Sequence, residues 1–209
     1  MNETISKKNG VRRALLVATV IGASLGASGC FPVVATGAAV GTLAAIDRRT
    51  VGAQTEDQAI ELKAALQIRE RIGSGVSITS YNRKVLLTGQ VANEADRRTA
   101  EAIVADLPNV RSIHNELQIA GVRSLSTSAA DAAITARVKA ALIDAPDLQA
   151  NTIKVVTEAG TVYLMGLVSP REAERAAQVA SRVGGVQRVV TVFEFITEEE
   201  VQRTKQQAR

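Results

Sequence analysis

The residue best placed for covalent chemistry is Cys30, the one cysteine among 209 residues. Having no second cysteine, it cannot close an internal disulfide. It follows Ala27-Ser28-Gly29, and before these come a basic leader (Lys7, Lys8, Arg12, Arg13) and an apolar run from Ala14 to Leu25. A charged start, an apolar middle and small residues before a cut are the layout of a secretory signal peptide. On a lipoprotein reading, small side chains let a peptidase bind the backbone just before Cys30, and its thiol carries a diacylglyceryl group. Two other readings use the same residues: a free thiol behind an ordinary signal peptide, and an uncleaved membrane-spanning helix. A single reactive thiol suits an exported protein badly. The apolar run also falls short of the roughly 18 to 20 residues that a clean span needs. Lipidation of Cys30 is the expected chemistry, with residues 1–29 as the removed leader.

Little else in the chain points to catalysis. His114 is the only histidine, so a cluster of histidines around a metal is excluded. There is no paired histidine and nucleophile and no phosphate-cradling loop, so neither an enzyme nor a cofactor is expected. Trp is absent and aromatic residues make up 2% of the chain, which removes the stacking platforms used for single-stranded nucleic acid. The net charge is +4, of which the leader's four basic residues less Glu3 supply +3. The mature chain is therefore nearly neutral, and its basicity does not indicate a nucleic-acid partner.

The elements that position these residues repeat. After a small, apolar stretch from Phe31 to Ile46, Asp47-Arg48-Arg49-Thr50 turns the chain polar, and residues 30–55 read as a lipidated linker. Two segments then share one pattern, 56–120 and 131–197, joined by a Ser- and Thr-bearing linker at 121–130. They open on Asp57-Gln58-Ala59-Ile60 and Asp131-Ala132-Ala133-Ile134. Ile60, Ala64 and Ile68 recur at helical spacing in one copy, and Ile134, Val138 and Leu142 in the other. A strand pair follows in each, around Asn82-Arg83-Lys84 and Glu158-Ala159-Gly160-Thr161. Gly160 suits a hairpin turn of positive φ. Gly89 and Gly166, inside the second strands, predict a bulge or a close backbone approach. Asn93 caps the next helix in the first copy. In the second, Ser169, Pro170 and Glu172 supply an N-cap, an N1 proline and a capping box. Each copy thus reads α-β-β-α-β, and residues 198–209 read as a frayed or disordered tail.

The repeated Asp…Ile start, the strands carrying Gly-x-Val, the Ala-rich helix and the Gly-Val turn into a last strand resemble BON domains. With Ala27-Ser28-Gly29-Cys30 and Asp47-Arg48-Arg49-Thr50-Val51-Gly52, the chain is similar to dual-BON outer-membrane lipoproteins. Tyr163-Leu164-Met165-Gly166-Leu167-Val168 is the most specific piece. The resemblance implies an α+β fold of two tandem αββαβ domains, each a three-stranded mixed sheet packed on two helices. It implies a lipid anchor in the outer membrane facing the periplasm. It also implies binding of an anionic phospholipid membrane by the second copy, in support of outer-membrane integrity at the division site. No nucleic acid is implied: a KH-like reading lacks its Gly-x-x-Gly loop, and export argues against it.

The two sheets differ in their faces. In the first copy's last strand, Ser112, His114, Glu116 and Gln118 oppose Ile113, Leu117 and Ile119, so one face reads as solvated. In the second copy, Val190, Val192 and Ile196 oppose Val189, Phe193 and Phe195, with Tyr163, Met165 and Leu167 on the neighbouring strand. That sheet is apolar on both sides, and its outer face is expected to pack on the first copy. The alternative is a docking face for outer-membrane assembly proteins, with the chain acting as an adaptor. On the helix from Ala130 to Asp144, the core stripe leaves Ala133, Arg137, Lys139 and Ile143 outside it. Small residues permit close approach, the cations reach phosphates and Ile143 inserts, a modest form of interfacial helix. Together with the resemblance, the expected lipid-contact set is Ala133, Arg137, Val138, Lys139, Ile143 and Gly166.

Overall fold

The computed structural model describes residues 47–120 and 125–207. Cys30, the leader and the apolar stretch from Phe31 to Ile46 lie outside the described residues. The first copy opens with α1 (Val51–Arg71), whose N-cap Thr50 accepts from the Ala53 amide. Its buried positions, Ala53, Asp57, Ile60, Ala64 and Ile68, form one stripe at spacings of three and four. β1 (Val76–Tyr81) and β2 (Lys84–Val91) pair antiparallel through a two-residue turn. Asn82 and Arg83 both have positive φ, 51° and 66°, as the primed hairpin turns require. α2 (Glu94–Ala105) follows, with the Asn93 side chain accepting from the Asp96 amide. β3 (Ser112–Asn115) and β4 (Gln118–Ile119) then run parallel to β2 in one continuous register, Lys84 opposite Ser112 and Val91 opposite Ile119.

The second copy repeats the order. α3 (Leu125–Ile143) precedes the 3₁₀ turn Ala150–Thr152, and β5 (Ile153–Glu158) pairs antiparallel with β6 (Thr161–Val168). α4 (Pro170–Ser181) carries both halves of its capping box at Ser169 and Glu172. β7 (Arg188–Phe195) lies parallel to β6, and α5 (Glu198–Gln207) closes the described chain. Within each copy the helices cover one sheet face. Val85, Leu87 and Val91 meet Ile60, Ala64, Ile103 and Val104 in the first. Val155, Val162 and Leu164 meet Ile134, Val138, Leu142 and the alanines of α4 in the second. The α+β architecture expected from the repeat is the one observed.

The outer sheet faces meet each other. Tyr81 and Leu86 of the first copy form one buried cluster with Tyr163, Met165, Leu167 and Val192 of the second. Polar contacts rim it. The Tyr81 hydroxyl donates to the Thr152 carbonyl at 3.2 Å, Lys84 to the Phe193 carbonyl at 2.8 Å, and Asn82 to Glu194 at 2.8 Å. The second copy's apolar outer face therefore packs on the first copy. The described residues of both copies belong to one compact unit.

Three expectations are corrected. The first copy's outer face is not simply solvated: Leu86 is fully buried and His114, opposite it in register, is half-buried. Burial and nearby Lys84 lower the His114 pKa. The linker does not reach residue 55, because Arg48 and Arg49 fold onto the domains and α1 starts at Val51. The tail is a helix to Gln207, anchored by Val201, which is fully buried.

Candidate functional site

The surface of α3 follows from its period. Ile134, Val138 and Leu142 recur every four residues and are all buried. The opposite side is set by Ala133, Ala136, Arg137, Ala140 and Ile143, all exposed. The crest of the helix is thus mostly alanine. Ile143 stands at its C-terminal end, 67% exposed.

A depression lies on each flank, and each holds one cation. Arg137 lines an open groove of about 760 Å³ with Ala133, the Ala159–Gly160 turn, Gly185, Gln187 and Asp131, whose carboxylate is bonded to that turn. Lys139 lines a cleft of about 210 Å³ with Leu142, Ile143, Ala150, Asn151 and Ile153. A flat, small-residue crest with two flanking cations and one projecting aliphatic is suited to lying on an anionic, partly apolar surface. Among the described residues no group of three His, Cys, Asp or Glu is placed to hold a metal ion.

Four of the six expected contact residues, Ala133, Arg137, Lys139 and Ile143, share this surface. Two do not. Val138 is 0% exposed, because it falls on the core stripe between Ile134 and Leu142. Gly166 is buried inside β6 opposite Ile153, and a Cβ there would lie 2.6 Å from the Thr152 carbonyl oxygen. Its role is close strand approach, which is the other reading its position in the strand allowed.

Sequence reasoning missed two groups. The first is the pair Asp57 and Asp131, which it saw only as the start of each repeat. The Asp57 carboxylate accepts from the Asn82 and Arg83 amides at 2.8 and 2.7 Å. Asp131 accepts from Ala159 and Gly160 at 2.9 and 2.8 Å. Each aspartate thereby holds its copy's hairpin turn against the first helix, and the repeat itself was the signal.

The second group is Asp47–Thr50. The Arg48 guanidinium, 1% exposed, forms a bidentate pair with Glu172 at 2.7 and 2.8 Å. It also donates to the Leu167 carbonyl at 2.6 Å and to Gln149 at 2.8 Å. Arg49 pairs with Asp47 and Asp57 and lies 4.2 Å from the centre of the Tyr81 ring. Burial acts to lower the Arg49 pKa, but hydrogen bonds to Asp47 and Asp57, with the Asp47 charge, outweigh it, and the value is raised. Burial, with the Asp47 charge, pushes the Tyr81 phenol up to about 12. One arginine therefore grips the second copy and its neighbour grips the first.

A model of the BON domain matches residues 56–121 and again residues 130–197. The outer membrane lipoprotein DolP of Haemophilus influenzae is 33% identical, over 86% of this chain and 95% of that one. This chain belongs to the DolP family of dual-BON outer-membrane lipoproteins. A 21 kDa hemolysin of Actinobacillus pleuropneumoniae is 31% identical over 72% of this chain and 80% of that one. The osmotically-inducible protein Y of Escherichia coli is 31% identical over 66% of this chain and 72% of that one. Among the described residues no helix is long and apolar enough to cross a membrane. The BON domains and the DolP-like relatives point to a non-enzymatic protein.

Proposed function

We propose that this lipoprotein binds an anionic phospholipid membrane through α3 of its second BON domain. Its diacylated Cys30 anchors it at the periplasmic face of the outer membrane, where it supports membrane integrity during division. The observation carrying this reading is the outer surface of α3, where exposed Ile143 and two cation-bearing depressions flank an alanine crest. Each of Arg137 and Lys139 near an anionic surface contributes about 1 kcal/mol, screened over a Debye length of about 8 Å at physiological salt. Full insertion of Ile143 adds roughly 1.5 to 3 kcal/mol. Neither contribution gives tight binding alone, so the anchor acts by raising the local concentration of the domain at its target. Phe31, following Cys30, leaves the +2 position without the aspartate that favours inner-membrane retention in this family's sorting logic.

The test is flotation of residues 40–209 with vesicles. Binding to phosphatidylcholine mixed three to one with phosphatidylglycerol, weakening as salt rises, and none to phosphatidylcholine alone, is the expected result. Equal binding to both, or to neither, rejects it. The adaptor reading draws less support, because the sheet face it relied on is packed against Tyr81 and Leu86.

A further inference from the structure

The contacts of Arg48 extend beyond what holding the two domains together requires. Of its three targets, Leu167 and Glu172 lie at the end of β6 and the first turn of α4. The third, Gln149, lies in the loop that leads from Ile143 at the end of α3 to the 3₁₀ turn Ala150–Thr152. The Gln149 carbonyl in turn accepts from the Thr152 amide at 3.0 Å and from the Thr152 hydroxyl at 2.8 Å. Ala150 and Asn151, held between those two bonded residues, form one wall of the cleft that Lys139, Leu142 and Ile143 complete. Arg48 thus holds the Gln149 side chain, the Gln149 carbonyl holds Thr152, and the two wall residues Ala150 and Asn151 are the covalent link between these fixed points.

We infer that Arg48 is a positioning residue for the cleft beside Lys139 and Ile143, fixing its loop wall through Gln149 where the anchor segment joins the second domain. This rests on the proposed role of α3 in membrane binding. Arg48 is a suitable residue for it. Its planar fork satisfies a carboxylate with two N–H groups and still directs others to a carbonyl and an amide oxygen, which a lysine cannot do. Because its side chain is buried, it does not touch lipid itself. Its effect is to remove loop freedom before binding, so that less order has to be imposed when the cleft meets the membrane.

The test uses residues 40–209 and vesicles of phosphatidylcholine mixed three to one with phosphatidylglycerol. Arg48→Ala also removes the cation facing buried Glu172, so the informative variant is Gln149→Ala, which leaves the Arg48–Glu172 pair in place. The expected result is a vesicle affinity lower by about three- to tenfold, the effect of losing one hydrogen bond. The melting midpoint should fall by only about 2 to 6 °C, so that the protein stays fully folded at the assay temperature, and the Thr152 amide should exchange faster with solvent. The dependence of affinity on salt should keep its slope, because Arg137 and Lys139 are untouched. Ile143→Glu is measured alongside. If Ile143→Glu weakens binding while Gln149→Ala binds as the parent does, membrane binding by α3 stands and the positioning role of Arg48 is wrong. If Gln149→Ala lowers affinity only as far as it lowers the melting midpoint, its effect is structural and the inference also fails. If Ile143→Glu binds as the parent does, the membrane reading fails and takes the inference with it.

Discussion

Arg48→Ala should be the most destabilising single change among the exposed-looking charges of the sequence. The Arg48–Glu172 pair is bidentate at 2.7 and 2.8 Å, with the two side chains 1% and 2% exposed. Removing one member of a buried pair leaves the other charge in a low-dielectric site, at a cost of about 3 to 5 kcal/mol. Glu172 keeps its bond from the Ser169 amide, so the lower part of that range is the better expectation. The Arg48 Nε is buried without a partner, a cost that the alanine relieves and that lowers the figure slightly. In a unit of this size about 1 kcal/mol shifts the midpoint by roughly 2 to 4 °C, so a fall of about 6 to 15 °C is expected. Thermal unfolding of residues 40–209, followed by far-UV circular dichroism, measures the fall, and urea unfolding gives the free energy. The double variant Arg48→Met, Glu172→Gln should recover most of the loss, since well-packed neutral groups often replace a buried pair at little cost. A midpoint for Arg48→Ala within about 1 kcal/mol of the parent would refute the view that this pair is buried and shared between the domains.

Three further outcomes follow from the same structure. Asp131→Ala, which frees the Ala159 and Gly160 amides, and Asp57→Ala, which frees the Asn82 and Arg83 amides and loses Ser80 and Arg49, should each cost about 2 kcal/mol or more by urea unfolding. Gly166→Ala should cost about 1 to 3 kcal/mol, since its Cβ meets the Thr152 carbonyl at 2.6 Å; a neutral result would remove the close-approach role. Tyr81, raised from 10.0 to about 12, favours the folded state fully below pH 10 and loses that contribution as pH rises toward 12. Alkaline absorbance titration against Tyr81→Phe checks this, and a lost component titrating near 10 contradicts it.

Much of each domain was legible because its determinants are local. Asn93, Ser169, Pro170 and Glu172 announce helix starts within four residues of chain, and Gly160 announces its turn. The core stripe of α3 was readable for the same reason, and it placed Ile143 outside the core. The contacts between domains were not local. Leu86 shares its strand face with Lys84 and Thr88, so by alternation it reads as a single apolar residue on a wet face. Only the second sheet, packed against it, makes it core. Arg48 reads as part of an ordinary polar run because its acidic partner, Glu172, is 124 residues away. Val201 is a lone aliphatic among charges, too sparse a pattern to predict a docked helix. Val138 entered the lipid-contact set by its place on a lipid-facing helix, although its own spacing marked it as core.

The central claim is that α3 meets the membrane with the side of the helix that carries Ile143. Paired variants one residue apart test it most directly. Ile143 is 67% exposed and Leu142 is 1% exposed, so the same glutamate should act in two different ways. Ile143→Glu in residues 40–209 should melt as the parent does and lose roughly 1.5 to 3 kcal/mol of binding to anionic vesicles at low salt, about ten- to a hundredfold. Leu142→Glu should fail to fold, because it puts a charge into the core among Val138, Ile153 and Leu164. An Ile143→Glu protein that folds normally and binds anionic vesicles as tightly as the parent would contradict the account.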